Sequence, residues 1–126
     1  MEYDPADLWR FLLPGYLLTI ALETAVLLVG LSPRHSRARR LVAGAWLTAC
    51  TFPIVVLVLP PLVGEPFGHL PYLLVAETFA PAAECALFLA AFGVHGRDWL
   101  RDCAAIVSAN LVSFLLGGWI VAQLGL

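Results

Sequence analysis

The sequence contains few charged residues. Asp, Glu, Lys and Arg make up 13% of its 126 residues, against roughly a quarter in a soluble domain. Hydrophobic residues make up 61% and the mean hydropathy is +0.89. The charges cluster and leave long apolar stretches between them, which predicts an integral membrane protein with a single domain covering residues 1–126. Nucleic acid is not an expected partner, because no exposed basic surface with aromatic residues remains.

The sequence also lacks the motifs that identify common active sites. It has no Gly-rich phosphate loop, no nucleophile elbow and no HExxH motif. Cys50, Cys85 and Cys103 show no CxxC spacing, so we expect them to be small buried hydrophobic residues. The identity of any cofactor or metal is left open by the sequence. The acidic N-terminal residues lack the basic start of a secretory signal, so we expect the first apolar stretch to remain as a helix.

Four apolar stretches are long enough to cross a bilayer, which takes about 20 helical residues. They cover residues 11–31, 41–62, 70–92 and 104–124. They predict an all-α polytopic membrane protein whose four transmembrane helices form a compact bundle.

The predicted helices are separated by segments rich in charge or in proline and glycine. These segments are residues 32–40, 60–69 and 93–98. We expect His35, His69 and His95 to be solvated in these loops, because none has a second ligand at useful spacing. Pro53 and Pro81 fall inside predicted helices and are expected to kink them, since proline removes a backbone hydrogen bond.

All seven basic residues are arginine, and their distribution predicts an orientation. Arg97 lies in the third loop and Arg101 just after it, and the middle loop has no arginine. Four more lie in the first loop: Arg34, Arg37, Arg39 and Arg40. The positive-inside rule then places both basic loops in the cytoplasm and both termini outside a bacterial inner membrane. An alternative role for the first loop is to bind anionic lipid headgroups.

Three glutamates lie inside the apolar stretches: Glu23, Glu77 and Glu84. A carboxylate in hydrocarbon is costly, so such residues usually face a bundle interior and are functional candidates. At 1.5 Å per residue, Glu23, Glu84, Thr48 and Asn110 all fall roughly 3–6 Å to the cytoplasmic side of the midplane. This depth predicts one polar layer contributed by four helices. Glu77 precedes Glu84 by two helical turns and shares its face.

The spacing of these residues suggests an internal repeat. Thr48 follows Glu23 by 25 residues and Asn110 follows Glu84 by 26. Two helix hairpins related by an axis along the membrane normal would give this pattern, as a parallel repeat. Hairpins of similar length could also produce it by chance, and the sequence leaves that alternative open.

Several short motifs carry a resemblance to known proteins. They are Glu-Thr at 23–24, Thr-Phe-Pro at 51–53, the segment 75–84 with its two glutamates, and Ser-Ala-Asn-Leu-Val-Ser-Phe at 108–114. The chain resembles small four-helix bacterial membrane proteins of uncharacterised function. This resemblance implies a fold and no activity. Small multidrug resistance transporters also have four helices and a glutamate in the first, but the surrounding residues differ, and fluoride channels share none of the motifs.

Three functions are compatible with the sequence. In the first, Glu23, Glu77 and Glu84 bind a proton or cation for transport, helped by Asn110 and Thr48, and a homodimer forms within the lipid bilayer. In the second, the chain is an accessory or assembly subunit whose polar layer pairs with a membrane-protein partner. In the third, it is a lipid- or quinone-binding protein or an intramembrane enzyme. Protonated glutamates that merely bridge helices are the structural alternative.

Overall fold

The computed structural model describes residues 4–125, and these form four long helices. The helices are α1 Pro5–Gly30, α2 Arg37–Phe67, α3 His69–Phe92 and α4 Asp98–Leu124. Each is long and apolar enough to cross a membrane, and the described residues contain no strand. The predicted all-α bundle of four transmembrane helices is therefore confirmed.

Short connections make the chain run up and down through the bundle. Both α1 and α3 pack against α2 and α4, so α1 and α3 occupy opposite corners of a square. Two loops, 31–36 and 93–97, lie together at one end, which we call the arginine end. The opposite end, where α1 begins, α4 ends and Gly68 turns the chain, is called the termini end.

The helix ends follow from local sequence. Asp4 caps α1 by accepting a hydrogen bond from the Ala6 amide, at 2.9 Å, and Ser36 caps α2 by accepting one from the Arg39 amide, at 3.1 Å. Gly93, with φ 81°, ends α3 in a backbone conformation that favours glycine. The helices extend beyond the apolar stretches at several ends, because capped polar turns remain helical outside the hydrocarbon.

The expected loop at residues 60–69 was wrong in its extent. The chain stays helical through Phe67, and only Gly68, with φ 99°, interrupts it before α3. Regular α-helix ends at Pro53 and is followed by wider π-helical turns over Ile54–Val58 and Pro60–Gly64. A proline lacks the amide hydrogen and clashes with the carbonyl four residues earlier, and the wider turn moves that carbonyl away. The helix thus adapts around its prolines instead of ending.

A cluster of contacting buried apolar residues occupies one half of the bundle. Its members all lie between the predicted polar layer and the arginine end: Leu27, Leu31, Ala43, Leu47, Phe88, Ala105, Ile106 and Ala109. Gly44 lets α2 approach α1 closely, because a Cβ atom there would overlap the Thr24 side chain. The half of the bundle toward the termini end is less densely filled, and it contains the candidate site.

Candidate functional site

Two buried glutamates face the interior of the bundle at the boundary of the apolar core. Glu23 on α1 and Glu84 on α3 are each 3% exposed. The Glu23 carboxylate accepts hydrogen bonds from Thr48 Oγ1, at 2.9 Å, and from Ser113 Oγ, at 3.0 Å. Each bond goes to a different carboxylate oxygen. Glu23 therefore connects α1 to both neighbouring helices.

Glu84 is bonded in the same manner from the opposite corner. Its carboxylate accepts hydrogen bonds from Thr51 Oγ1, at 2.8 Å, and from Asn110 Nδ2, at 3.2 Å. The donors again come from α2 and α4, one to each oxygen. The two glutamates and their four donors form two hydrogen-bonded groups between the same helices, which we together call the carboxylate layer.

The carboxylate layer has an approximate twofold pattern. Each glutamate takes one donor from the helix that follows it in the chain and one from the other hairpin. A shift of 61 or 62 residues relates its two halves, in which Glu23, Thr48 and Thr51 correspond to Glu84, Asn110 and Ser113. The same shift relates the first residue of α2, Arg37, to the first of α4, Asp98. This is the pattern that the predicted parallel repeat would produce.

A cavity of about 400 Å³ extends from the carboxylate layer toward the termini end, where exposed His69 forms part of its wall. All four helices line it, and Phe11, Phe52 and Phe114 contribute aromatic walls. Gly118 leaves part of this space open, because a Cβ atom there would meet nothing within 4 Å. The layer thus forms the closed floor of a cavity.

Glu77 lies in the cavity wall, between His69 and the carboxylate layer. It is half-buried and on the same face of α3 as Glu84. Within residues 4–125, its carboxylate makes no hydrogen bond. The structure therefore brings together Glu23, Glu84, Thr48 and Asn110, as predicted, and places Glu77 beside them in the cavity without joining it to the layer.

Sequence reasoning missed two members of the layer, Thr51 and Ser113, as donors to the glutamates. A signal for both was present in the spacing. Each lies three residues after a predicted layer residue, Thr48 or Asn110, so each shares a helix face with it. Depth alone places Thr51 and Ser113 away from the layer, because three helical residues shift a side chain by about 4.5 Å along the helix axis.

The histidine predicted to be solvated in the first loop is buried instead. His35 is 3% exposed, and its Nε2 lies 2.9 Å from Asp102 Oδ2. Its ring also packs edge-on against Phe88, with 5.0 Å between centroids. Asp102 further accepts a 2.8 Å hydrogen bond from the Ser32 amide. The prediction failed because the partner of His35 lies 67 residues away, beyond any local spacing.

Two of the four arginines in the first loop bind the ends of helices. Arg34 donates to the carbonyls of Phe92, at 3.1 Å, and Gly93, at 2.8 Å. Arg40 donates to the Leu28 carbonyl at 2.6 Å. Terminal helical carbonyls lack partners within their own helix, so these bonds satisfy them. The remaining two differ: Arg39 stacks over the Phe92 ring at 4.7 Å, and Arg37 is exposed.

The carboxylate layer can bind and release a proton or a cation, because two carboxylates meet hydroxyl and amide groups in a site open at one end. Among the described residues, no group of three or more His, Cys, Asp or Glu side chains is placed to hold a metal ion. No protein-family model, curated protein or solved structure matches this chain.

Proposed function

We propose that the protein is a proton- or cation-linked transporter in which Glu23 and Glu84 form the central binding site. The observation that carries this proposal is the position of two buried carboxylates at the floor of a cavity. A negative charge is costly at this depth, so the site favours a proton or another cation. A purely structural bridge between helices would not require a cavity of about 400 Å³ leading to it.

In this proposal the structure is open toward the termini end and closed toward the arginine end. Leu27, Leu47, Phe88 and Ile106 are almost fully buried and separate the carboxylate layer from the arginine end. Beyond them, the buried pair of His35 and Asp102 joins the first loop to α4. Passage of a cation requires these contacts to part while the cavity closes. The twofold pattern of the layer supports such an exchange, because each hairpin can rock against the other around a shared site.

The internal pairing of the layer favours transport over an accessory role. Recognition of a partner helix within the membrane would require polar groups at the lipid-facing surface. The four donors to Glu23 and Glu84 instead point inward, and both glutamates are buried within one chain. The cavity also forms within one chain, and the expected homodimer stays a prediction.

The proposed location is a bacterial inner membrane with both termini outside and the arginine end in the cytoplasm. Support comes from the arginine distribution, since the loops 31–36 and 93–97 are flanked by six of the seven arginines. The cavity would then open to the outside. A reporter enzyme that is active only outside the cytoplasm tests this when fused to the C-terminus. We expect it to be active there, and inactivity would reverse the orientation.

Flux into liposomes containing the purified protein tests the proposed function. Protons, monovalent cations and divalent cations are scanned with the parent and with Glu23→Gln and Glu84→Gln. We expect flux of a proton or cation that each variant reduces at least tenfold. Glu65→Gln makes the same chemical change at an exposed residue outside the cavity and serves as the control. Absence of flux for every ion, together with copurification of a second chain, would favour the accessory role.

A further inference from the structure

The size of the cavity bears on the kind of cation that it accepts. Its volume of about 400 Å³ lies in the range of sites that bind drug-sized ligands, roughly 300–1,000 Å³. A proton or a bare metal ion needs only the carboxylate layer and a path for water. The remaining space can hold an organic molecule in contact with all four helices.

The walls of the cavity combine apolar and acidic groups. Phe11, Phe52 and Phe114 come from three different helices, and aromatic faces attract organic cations as well as apolar groups. Among the described lining residues there are three glutamates and no arginine. The acidic groups select a positive charge, and the aromatic and aliphatic walls favour an apolar body.

Glu77 differs from the other two glutamates in how its carboxylate is used. Glu23 and Glu84 each accept two hydrogen bonds from side chains of the bundle. Glu77 accepts none from the described residues and lies about 10 Å nearer the termini end than Glu84. Its negative charge is therefore open to a cation that enters the cavity. A ligand that enters from the termini end therefore meets the Glu77 carboxylate before it meets the carboxylate layer.

From these observations we infer that the transported substrate is an organic ammonium compound with an apolar body, and that Glu77 binds its ammonium group. This inference rests on the proposed function. The aromatic walls then hold the apolar body, while Glu23 and Glu84 bind the transported proton. These separate roles follow from the geometry. The carboxylates of the layer already accept hydrogen bonds from the bundle, whereas Glu77 faces the open space of the cavity.

Binding of benzyltriethylammonium to the purified protein in detergent, measured by calorimetry, tests the inference. We expect saturable binding that Glu77→Gln weakens at least tenfold and Glu77→Asp weakens less, because aspartate keeps the charge. Glu65→Gln should bind like the parent, since it removes an exposed carboxylate outside the cavity. Sodium and the neutral probe tert-butylbenzene should not displace the ammonium ion. Equal binding by the parent and Glu77→Gln, or displacement by tert-butylbenzene, would overturn the inference.

Two further measurements distinguish this inference from its alternatives. Dihexanoylphosphatidylcholine below its micelle concentration carries the same ammonium chemistry on a lipid headgroup, and binding of this probe alone would overturn the assignment to a free ammonium compound. Proton flux in liposomes without ammonium binding overturns the substrate assignment and leaves the transport proposal in place. Glu77-dependent binding without any flux keeps the ammonium site and overturns transport. Absence of both flux and ammonium binding overturns the transport proposal as well as the substrate assignment.

Discussion

The hydrogen bond between Thr51 and Glu84 gives a direct prediction for stability. Thr51 Oγ1 lies 2.8 Å from Glu84 Oε2 and 3.1 Å from the Leu47 carbonyl, and Thr51 is 3% exposed. Thr51→Val keeps the branched shape and removes the hydroxyl. Thr78→Val is the matched control, because among residues 4–125 the exposed Thr78 hydroxyl bonds only to the Leu74 carbonyl of its own helix, at 2.7 Å.

The expected size of the effect follows from what the substitution leaves behind. Thr51→Val leaves one oxygen of a buried carboxyl group without its donor, which costs about 1–3 kcal/mol. Thr78→Val removes a bond within a helix at an exposed site, where substitutions usually change stability by less than about 0.5 kcal/mol. The free energy of unfolding should therefore fall by at least about 1 kcal/mol more for Thr51→Val than for the control.

Denaturant unfolding of both variants in the same mild detergent measures this difference. A double-mutant cycle with Glu84→Gln then isolates the pair, and residues in one hydrogen-bond network usually couple by about 0.5–3 kcal/mol. Equal losses for Thr51→Val and Thr78→Val, with no coupling to Glu84, would refute the reasoning. The carboxylate layer would then contribute nothing measurable to the fold through this bond.

Three other substitutions probe the cavity and the closed half of the bundle. Gly118→Leu should fill the cavity and reduce flux at least tenfold, while stability holds or rises by about 0.5–1 kcal/mol because leucine favours helix. Gly44→Ala should lower the free energy of unfolding by about 1–3 kcal/mol, because its Cβ atom overlaps Thr24. Asp102→Ala should lower it by about 1–3 kcal/mol, because it leaves the buried His35 ring without its carboxylate.

Each of these predictions has a result that would contradict it. Parental flux in Gly118→Leu would show that transport does not use this cavity. Thermal melts of Gly44→Ala and Gly118→Ala compare the same change at a crowded and an open glycine, and equal melting temperatures would remove the argument from close helix approach. Parental stability of Asp102→Ala would mean that the buried pair does not hold the first loop to α4.

The parts of the fold that could be predicted depend on local properties of the chain. Helix number follows from apolar length, and the depth of Glu23, Glu84, Thr48 and Asn110 follows from a constant rise per residue. Neither property depends on which residues of different helices contact each other. The four residues consequently meet in the structure as expected, although a donor–acceptor pattern was not deduced for them.

The parts that could not be predicted depend on contacts between distant segments. Ser113 meets Glu23 across 90 residues and Asp102 meets His35 across 67, and no spacing rule reports the rotation of one helix against another. The cavity could not be predicted either, because it is the space that the absent side chains of glycines such as Gly118 leave between the helices. Helical continuity through Pro60 required π-helical turns, which sequence patterns rarely reveal.

The central claim is that Glu23 and Glu84 carry the transported proton or cation, and one measurement tests it most directly. Proton flux driven by a pH gradient is recorded in liposomes containing the parent, Glu65→Gln or the double variant Glu23→Gln/Glu84→Gln, each at equal protein density and with matched thermal stability. We predict parental flux for Glu65→Gln and the rate of protein-free liposomes for the double variant. Flux in the double variant at the parental rate would contradict the claim.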